Sequence, residues 1–236
     1  MLTLFTSDAS DRALELVSRT SASGTRSYHH GDLRTALRQA GYELASAGGA
    51  QAVTLRAATR LAGVSPAAAY RHFASHDDLR LAVGAMAMGE LARTIERHQS
   101  AVTAVAPVAR ARERLIAVGE GYITFALDTP GAFDVALFGL FTMEHAFEPA
   151  TMGATGRTPY ELLTDAIGDL VVLGLVPQAS AEAVAITCWS SVHGFATLAT
   201  SGPLRQHPRV ELDAMGTRIV RGLTDSLLAS FTAPAG

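Results

Sequence analysis

The sequence predicts an all-α protein, with a three-helix N-terminal helix-turn-helix domain followed by a C-terminal helical bundle. Apolar residues recur at the spacing of one helix face, and glycines and prolines interrupt this pattern at intervals of helix length. No segment alternates apolar and polar residues as a half-buried strand does. We divide the chain into a mobile extension over 1–27, a helix-turn-helix domain over 28–76 and a larger helical domain over 77–236.

The extension contains a run rich in serine, threonine and glycine, so we expect no more than one fraying helical turn around residues 13–17. The next segment predicts an amphipathic helix, because Leu33, Leu37 and Leu44 lie on one face at helical spacing. The pair Gly48-Gly49 ends this helix.

Two short helices separated by a glycine come next. Thr54 precedes a run that ends at Ala62, and Gly63 supplies a turn conformation that a side chain would resist. A second helix starts at Ser65-Pro66, where the serine oxygen caps the helix and proline occupies the first helical position. This is the spacing of a helix-turn-helix.

The rest of the chain predicts helices only. Ser75 and Asp78 form the pattern of a capping box, which opens a long helix that ends at about His98. The further predicted helices span 107–128, 131–140, 159–174, 179–200 and 207–230.

The charge distribution favours nucleic-acid binding by the N-terminal part of the chain. The chain has a net charge of −3, yet between Arg26 and Phe73 six arginines face two acidic residues. That segment therefore carries +4 and the rest of the chain −7.

Other features exclude some classes of protein. No apolar run approaches the roughly 20 residues of a membrane helix. The N-terminus lacks the basic start and sustained apolar run of a secretory signal, and Cys188, the single cysteine, forms no internal disulfide. We expect a cytoplasmic protein without a membrane span.

Three segments resemble the TetR family of one-component regulators: YHHGDLRTAL at 28–37, TLRAATRLAGVSPAAAYRHFASHDDL at 54–79, and the W-x-x-x-H-G run at 189–194, which is similar to one subgroup. The resemblance implies a homodimer that binds double-stranded DNA at a near-palindromic operator. It also implies that a small molecule in the C-terminal domain releases the operator, so that the chain is a repressor.

The resemblance assigns roles in DNA binding to nine residues, which are Thr54, Arg56, Ser65, Ala67, Ala68, Tyr70, Arg71, His72 and His76. Thr54 caps the first helix and reaches a phosphate, while Arg56 reads a base edge or, alternatively, contacts a phosphate or solvent. Ala67 and Ala68 offer methyl contacts to thymine. Tyr70 and His72 resemble the family's phosphate-positioning pair, although Tyr70 as a partial core residue stays open.

Arg71 is expected to point outward and act by its charge, and Phe73 to lie in the core. Two residues depart from the family pattern. Thr59 replaces an alanine at the close crossing of the two helices, so its hydroxyl needs a partner or else tilts the crossing slightly. His76 replaces a lysine that contacts phosphate, which predicts a weaker or pH-dependent contact because histidine is mostly neutral near pH 7.

The sequence indicates the ligand site less clearly than it indicates the DNA-binding residues. Ligand cavities in helical bundles are mostly apolar with a few polar anchors, which makes aromatic residues and two histidines candidates. These candidates are Tyr122, Phe125, Phe138, Phe141, His145, Trp189 and His193, with Met143, Phe147 and Phe195 as further apolar residues. The alternative is that these aromatics are simply core.

The last two long helices are expected to form the dimer as a four-helix bundle with their symmetry mates. Small residues there permit close approach, namely Ala196, Ala199, Ala214, Gly216 and Gly222. No metal-ligand spacing occurs and no cofactor is expected.

Two other classes of function compete with a regulator. An enzyme is disfavoured because no nucleotide-binding, nucleophile or metalloprotease motif occurs, and Cys188 lies in an apolar helix. A ligand carrier that no longer binds DNA is disfavoured by Arg56, Tyr70, Arg71 and His72, because a carrier needs no phosphate-contacting surface.

Overall fold

The computed structural model describes residues 5–20, 33–138 and 148–232, and every regular element in these ranges is a helix. The predicted all-α class is confirmed. The α-helices in chain order are α1 (Phe5–Thr20), α2 (Leu33–Gly48), α3 (Leu55–Ala62), α4 (Pro66–Ala69), α5 (His76–Ser100), α6 (Pro107–Asp128), α7 (Pro130–Phe138), α8 (Pro159–Val172), α9 (Ala181–Thr200) and α10 (Arg209–Thr232).

The chain forms two compact units. The first contains Met1–Met88 and Thr129–Thr151, and the second contains Gly89–Asp128 and Met152–Gly236. The division falls within α5, which is continuous through both units. It also places α7 in the first unit, whereas the sequence predicts all residues after 76 in the C-terminal domain.

The N-terminal segment differs from its prediction. In place of a mobile extension with one fraying turn, α1 spans 16 residues. Ala13, Leu14 and Val17 of this helix are buried, and the first two belong to the core of the first unit. Short apolar side chains at helical spacing are hard to detect beside a run of serine and threonine, so the sequence pattern missed this helix.

Side-chain contacts help to hold α1 on the rest of the first unit. The Ser10 hydroxyl donates to the carbonyl oxygen of Ala52 at 3.3 Å. Asp11 pairs with Arg60 of α3 at 3.2 Å, although both side chains are largely exposed. Since exposed ion pairs stabilise little, burial of Ala13 and Leu14 contributes most to this docking.

The core of the first unit joins α2, α3, α4 and the start of α5. Its largest fully buried side chains include Leu37, Leu44, Val53, Phe73 and Leu79. The predicted apolar stripe of α2 therefore faces this core, and the short helices α3 and α4 are held by tertiary packing.

Helix α7 packs on the end of α2. Gly131 lies so close to the carbonyl oxygen of Ala45 that no side chain would fit there. The carboxylate of Asp134 accepts from the backbone N–H of Ala50 at 3.4 Å. These contacts between distant residues explain why α7 belongs to the first unit, which helix periodicity alone cannot show.

The second unit is organised around α6, which packs against α8, α9 and α10. A Cβ atom at Gly121 of α6 would lie 2.7 Å from the Cα of Ile95 in α5, so glycine permits this helix crossing. Arg112 of α6 pairs with Asp225 of α10 at 2.6 Å.

Caps define several helix ends as the sequence predicts. The Ser75 hydroxyl accepts from Asp78 N–H at 3.0 Å, and the Asp78 carboxylate accepts from Ser75 N–H at 3.1 Å. A second capping box, between Thr158 and Glu161 at the start of α8, escaped the sequence analysis.

Candidate nucleic-acid interface

A capped helix, a glycine turn and a second capped segment make up the N-terminal site. The Thr54 hydroxyl accepts from the N–H of Ala57 at 3.2 Å and so caps α3. Gly63 ends α3 with φ of 68°, in the left-handed region that glycine adopts without strain. The predicted helix-turn-helix is confirmed in its caps and its turn.

The second helix is short, since α4 contains four residues. Ser65 caps it by accepting from Ala68 N–H at 3.3 Å, and Pro66 occupies the first position. Backbone bonds from His72 and Phe73 to the Ala69 carbonyl, at 2.9 and 3.0 Å, carry the turn onward. We call residues 66–73 the recognition segment.

Its side chains divide into an inner and an outer set. Ala69 and Phe73 are buried and anchor the segment in the core of the first unit. Tyr70 is 57% exposed, which argues against its assignment as a core residue. The residues predicted to contact DNA that are exposed are Arg56, Ser65, Ala67, Tyr70, Arg71, His72 and His76, while Thr54 and Ala68 are partly exposed.

Thr59, which lies where the two helices of the helix-turn-helix cross, has a hydrogen-bond partner. Thr59 is buried in α3, and its hydroxyl donates to the carbonyl oxygen of Arg56 at 2.9 Å. This bond satisfies the hydroxyl inside its own helix, so the crossing needs no polar partner from the recognition segment.

Arg34 connects α2 to the end of the recognition segment. Its guanidinium donates to the carbonyl oxygen of His72 at 2.8 Å. The guanidinium carbon also lies 4.7 Å from the centre of the Phe73 ring. The sequence analysis counted Arg34 only as a positive charge, because nothing in its spacing reveals a contact 38 residues away.

A polar cluster of one buried and two half-buried side chains lies in the second unit. The phenol oxygen of Tyr122 on α6 lies 2.9 Å from Nδ1 of His193 on α9. Burial raises the pKa of Tyr122 far above its ordinary value, although a hydrogen bond with Trp189 opposes this. Burial lowers the pKa of His193. Both groups are therefore mainly neutral at pH 7, as expected for a hydrogen bond between a buried phenol and a half-buried imidazole.

Comparison with known proteins identifies the chain. The family described as "Bacterial regulatory proteins, tetR family" matches residues 37–83, which contain α3, α4 and the start of α5. The family described as "Tetracyclin repressor-like, C-terminal domain" matches residues 115–223. The chain belongs to the TetR family of transcriptional regulators. It is thus a DNA-binding regulator, as the sequence predicts.

Solved structures share the fold of this TetR-family regulator. A protein of unknown function from a Rhodococcus species has a TM-score of 0.65 and 24% identity, over 87% of this chain and 98% of that chain. PfmR, a TetR family transcriptional regulator from Thermus thermophilus, has a TM-score of 0.53 and 17% identity, over 82% and 97% of the two chains. A comparison with curated proteins returned no match.

The structure of the TetR-family chain brings together part of the predicted ligand set. Tyr122, Trp189 and His193 lie together in the second unit, and Phe125 is buried on the same helix as Tyr122. Tyr160 of α8, which the sequence analysis missed, packs edge-on to Trp189 with ring centres 6.1 Å apart.

The other predicted ligand residues are one buried residue of α9 and a group outside the described residues. Phe195 is buried on α9. The side chain of Phe138, at the end of α7, is outside the described part of the chain, and so are Phe141, Met143, His145 and Phe147. For the same reason, the predicted helix over 131–140 can be compared only as far as Phe138, where α7 ends.

Cys188 of this TetR-family regulator is a buried residue. Burial raises the pKa of Cys188 to about 11, so its thiol stays protonated at neutral pH and is a poor nucleophile.

Among residues 5–20, 33–138 and 148–232, no three histidine, cysteine or acidic side chains are grouped as metal ligands. Within the same ranges, no helix is long and apolar enough to cross a membrane.

Three of the small residues expected at a dimer interface instead pack against other residues of the same chain. Ala196 and Ala199 are buried, and Gly216 faces Ile123 and Phe195. This part of the dimer prediction is wrong, because these positions permit close packing inside one chain. Ala214 and Gly222 are exposed on α10.

Proposed function

We propose that this TetR-family chain is a ligand-responsive repressor that binds a near-palindromic operator as a homodimer and releases it when a small molecule binds the second unit. The observation that carries the proposal is the exposed set of polar and basic residues on a capped helix-turn-helix whose inner residues, Ala69 and Phe73, are buried. A regulator of this kind acts on DNA in the cytoplasm.

Base readout is assigned to α3 and to the start of the recognition segment. Arg56 is exposed at the second position of α3, and an arginine that bonds O6 and N7 of guanine is the commonest specific contact. Ala67 and Ala68 present methyl groups that suit thymine methyls in the major groove.

Phosphate contacts are assigned to the residues around this surface. The Thr54 and Ser65 hydroxyls and the Tyr70 phenol act as neutral donors, while Arg71 adds a full charge. His72 and His76 are exposed and add charge only when protonated.

The dimer is assigned to the outer faces of α9 and α10. Ile186 and Leu198 on α9 are close to half exposed, and Val210 on α10 is 73% exposed. A helical stripe of exposed residues on α9 contains Ala183, Ile186, Ser190, Gly194 and Leu198, and its counterpart on α10 contains Val210, Ala214 and Gly222.

Two glycines strengthen this assignment. A Cβ atom added at Gly194 or Gly222 would meet nothing within 4 Å. Glycine inside a helix costs about 1 kcal/mol relative to alanine. Close approach of a partner helix gives these open glycines a role that packing within the chain does not.

The switch is assigned to the cluster of Tyr122, Trp189 and His193. Helix α5 continues from the DNA-binding unit into the second unit, so ligand binding there can alter the spacing of two recognition segments in a dimer. That spacing must match about one turn of DNA, roughly 34 Å. A preference of about 1.4 kcal/mol for the released state suffices for tenfold weaker binding.

Selection from a random-sequence duplex library tests DNA recognition. The wild-type chain should enrich a near-palindrome whose half-sites lie about one helical turn apart. Binding to this selected duplex should fall steeply with added salt, because arginine contacts displace counterions. Failure to enrich any sequence, with equal affinity for all duplexes, would instead favour a ligand carrier.

Trp189 reports ligand binding, since it is the single tryptophan of the chain. A small-molecule library screened by quenching of its fluorescence should yield a compound that lowers affinity for the selected duplex. Linkage requires that the duplex weaken the compound's binding by the same factor. A compound that binds equally well with and without saturating duplex would show a binding site without a switch.

A further inference from the structure

The last turn of the recognition segment ends in backbone carbonyls that the helix itself cannot satisfy. The segment continues past α4 through bonds to the Ala69 carbonyl, and Phe73 then enters the core. The His72 carbonyl oxygen accepts from Nη1 of Arg34 at 2.8 Å. A cation at this end also interacts favourably with the helix dipole.

Arg34 is held where it makes this bond. It occupies the second position of α2, between Leu33, which packs against the core, and the first buried turn that contains Leu37. The guanidinium lies over the Phe73 ring at 4.7 Å. The ring and the carbonyl together fix the position and orientation of the guanidinium.

We propose that Arg34 is a positioning residue for DNA binding, which holds the end of the recognition segment on α2 and thereby sets the positions of Tyr70 and His72. The proposal rests on the proposed function, because these two residues are assigned to phosphates. Both lie within the turn that Arg34 restrains, and both are exposed. A small rotation of this turn moves their polar atoms away from the phosphates.

The rival role for Arg34 is direct neutralisation of a phosphate, since its side chain is also exposed. The two roles differ in salt dependence. Each neutralised phosphate contributes about 0.9 to the slope of log affinity against log salt, so a dimer would lose about 2. A positioning residue changes affinity without changing this slope.

The experiment compares Arg34→Gln with wild type on the selected duplex and on random-sequence duplex, at several salt concentrations. Arg34→Gln should bind both the selected and the random duplex more weakly, by similar factors of about tenfold, with the salt slope unchanged. Loss of stability alone would lower the folded fraction but leave the affinity of the folded chain unchanged. Circular dichroism and the thermal midpoint establish that fraction.

Arg38→Gln is the matched control, because it removes the same charge one turn further along α2. Arg38 bonds Thr35 within its own helix at 3.2 Å. This variant should keep the wild-type affinity for both duplexes. Arg34→Lys retains the charge without the planar guanidinium, and should bind at least about threefold more weakly than wild type.

Three results would overturn the proposal. A salt slope reduced by about 2 in Arg34→Gln would make Arg34 a phosphate ligand. Unchanged affinity in Arg34→Gln would mean that Arg34 has no role in DNA binding. Wild-type affinity in Arg34→Lys would mean that only the positive charge of Arg34 matters. If Arg34→Gln fails to fold, Arg34→Lys carries the test. If the wild-type chain selects no sequence, the proposed function fails before Arg34 is tested.

Discussion

The hydroxyl of Thr59 donates to the carbonyl oxygen of Arg56 at 2.9 Å, within the first helix of the helix-turn-helix. This bond lets a polar side chain occupy a buried crossing where alanine is usual in the family. We predict that Thr59→Ala changes the free energy of unfolding by less than about 1 kcal/mol. The gain in helix propensity offsets the lost methyl contacts.

Urea unfolding followed by circular dichroism measures this change. Ala58→Thr, at the neighbouring buried position, is the comparison and should destabilise more, because it adds atoms to a packed site. A loss above about 2 kcal/mol in Thr59→Ala would mean that the hydroxyl has a larger structural role than its bond to Arg56.

The short helices of the DNA-binding unit could be predicted because their signals are local. Thr54, Ser65 and Ser75 are capping residues beside the amides they bind, and Gly63 sits where the backbone becomes left-handed. These interactions span three or four residues and are visible in any sequence window.

Contacts between distant residues could not be predicted in this way. Tyr122 and His193 are 71 residues apart, and their hydrogen bond depends on how α6 packs against α9. Gly131 and Ala45 likewise meet only in the folded chain, which places α7 in the first unit. The aromatic pattern identified Tyr122 and Trp189 as candidates but gave no sign of Tyr160.

Glu96 should make stability depend on pH. Its carboxylate accepts from the backbone N–H groups of Ala154 and Thr155 at 2.7 and 2.9 Å and from the Thr155 hydroxyl at 2.6 Å. Burial alone would raise the pKa of Glu96, but these bonds and Arg93 outweigh it and lower the pKa. The stabilisation is complete above the pKa of the unfolded chain and is lost as pH falls through the folded-state pKa.

We predict that Glu96→Gln lowers the free energy of unfolding by about 1 kcal/mol at about pH 7 and has a smaller effect at about pH 3.5. Denaturant unfolding at the two pH values measures the difference. Glu148→Gln, at an exposed glutamate, serves as the control. An equal loss at both pH values would mean that the carboxylate charge contributes nothing.

Gly194→Leu should dissociate the proposed dimer. A Cβ atom at this position meets nothing within 4 Å in its own chain and leucine favours the helix, so the monomer should stay folded. We expect the dimer dissociation constant to rise by about 100-fold or more, because an overpacked crossing separates the partner helices.

Sedimentation equilibrium at micromolar concentration measures dimer formation, with Gly168→Leu as the matched control. A Cβ atom at Gly168 also meets nothing within 4 Å, but Gly168 lies on α8, outside the proposed interface. A wild-type chain that is monomeric under these conditions, or a fully dimeric Gly194→Leu, would place the interface elsewhere.

Arg56 and Tyr70 should differ in how they affect binding. Arg56→Gln should cost about 1 to 3 kcal/mol on the selected duplex and relax the preference at one base position in each half-site. Tyr70→Phe should weaken binding to selected and random duplexes by similar factors. Fluorescence anisotropy with base-substituted duplexes separates the two effects, and equal losses for Arg56→Gln on both duplexes would reassign Arg56 to the phosphates.

The most direct test of DNA recognition by α3 and the recognition segment combines four changes in one variant, Arg56→Gln, Tyr70→Phe, Arg71→Gln and His72→Gln. All four side chains are exposed, so the variant should unfold at nearly the wild-type temperature. Anisotropy titrations should show that wild type binds the selected duplex about 1,000-fold more tightly than random duplex. The variant should bind both duplexes more weakly and should lose the part of this preference that Arg56 supplies. A folded variant that keeps the full preference would contradict the account, because another surface would then read the DNA.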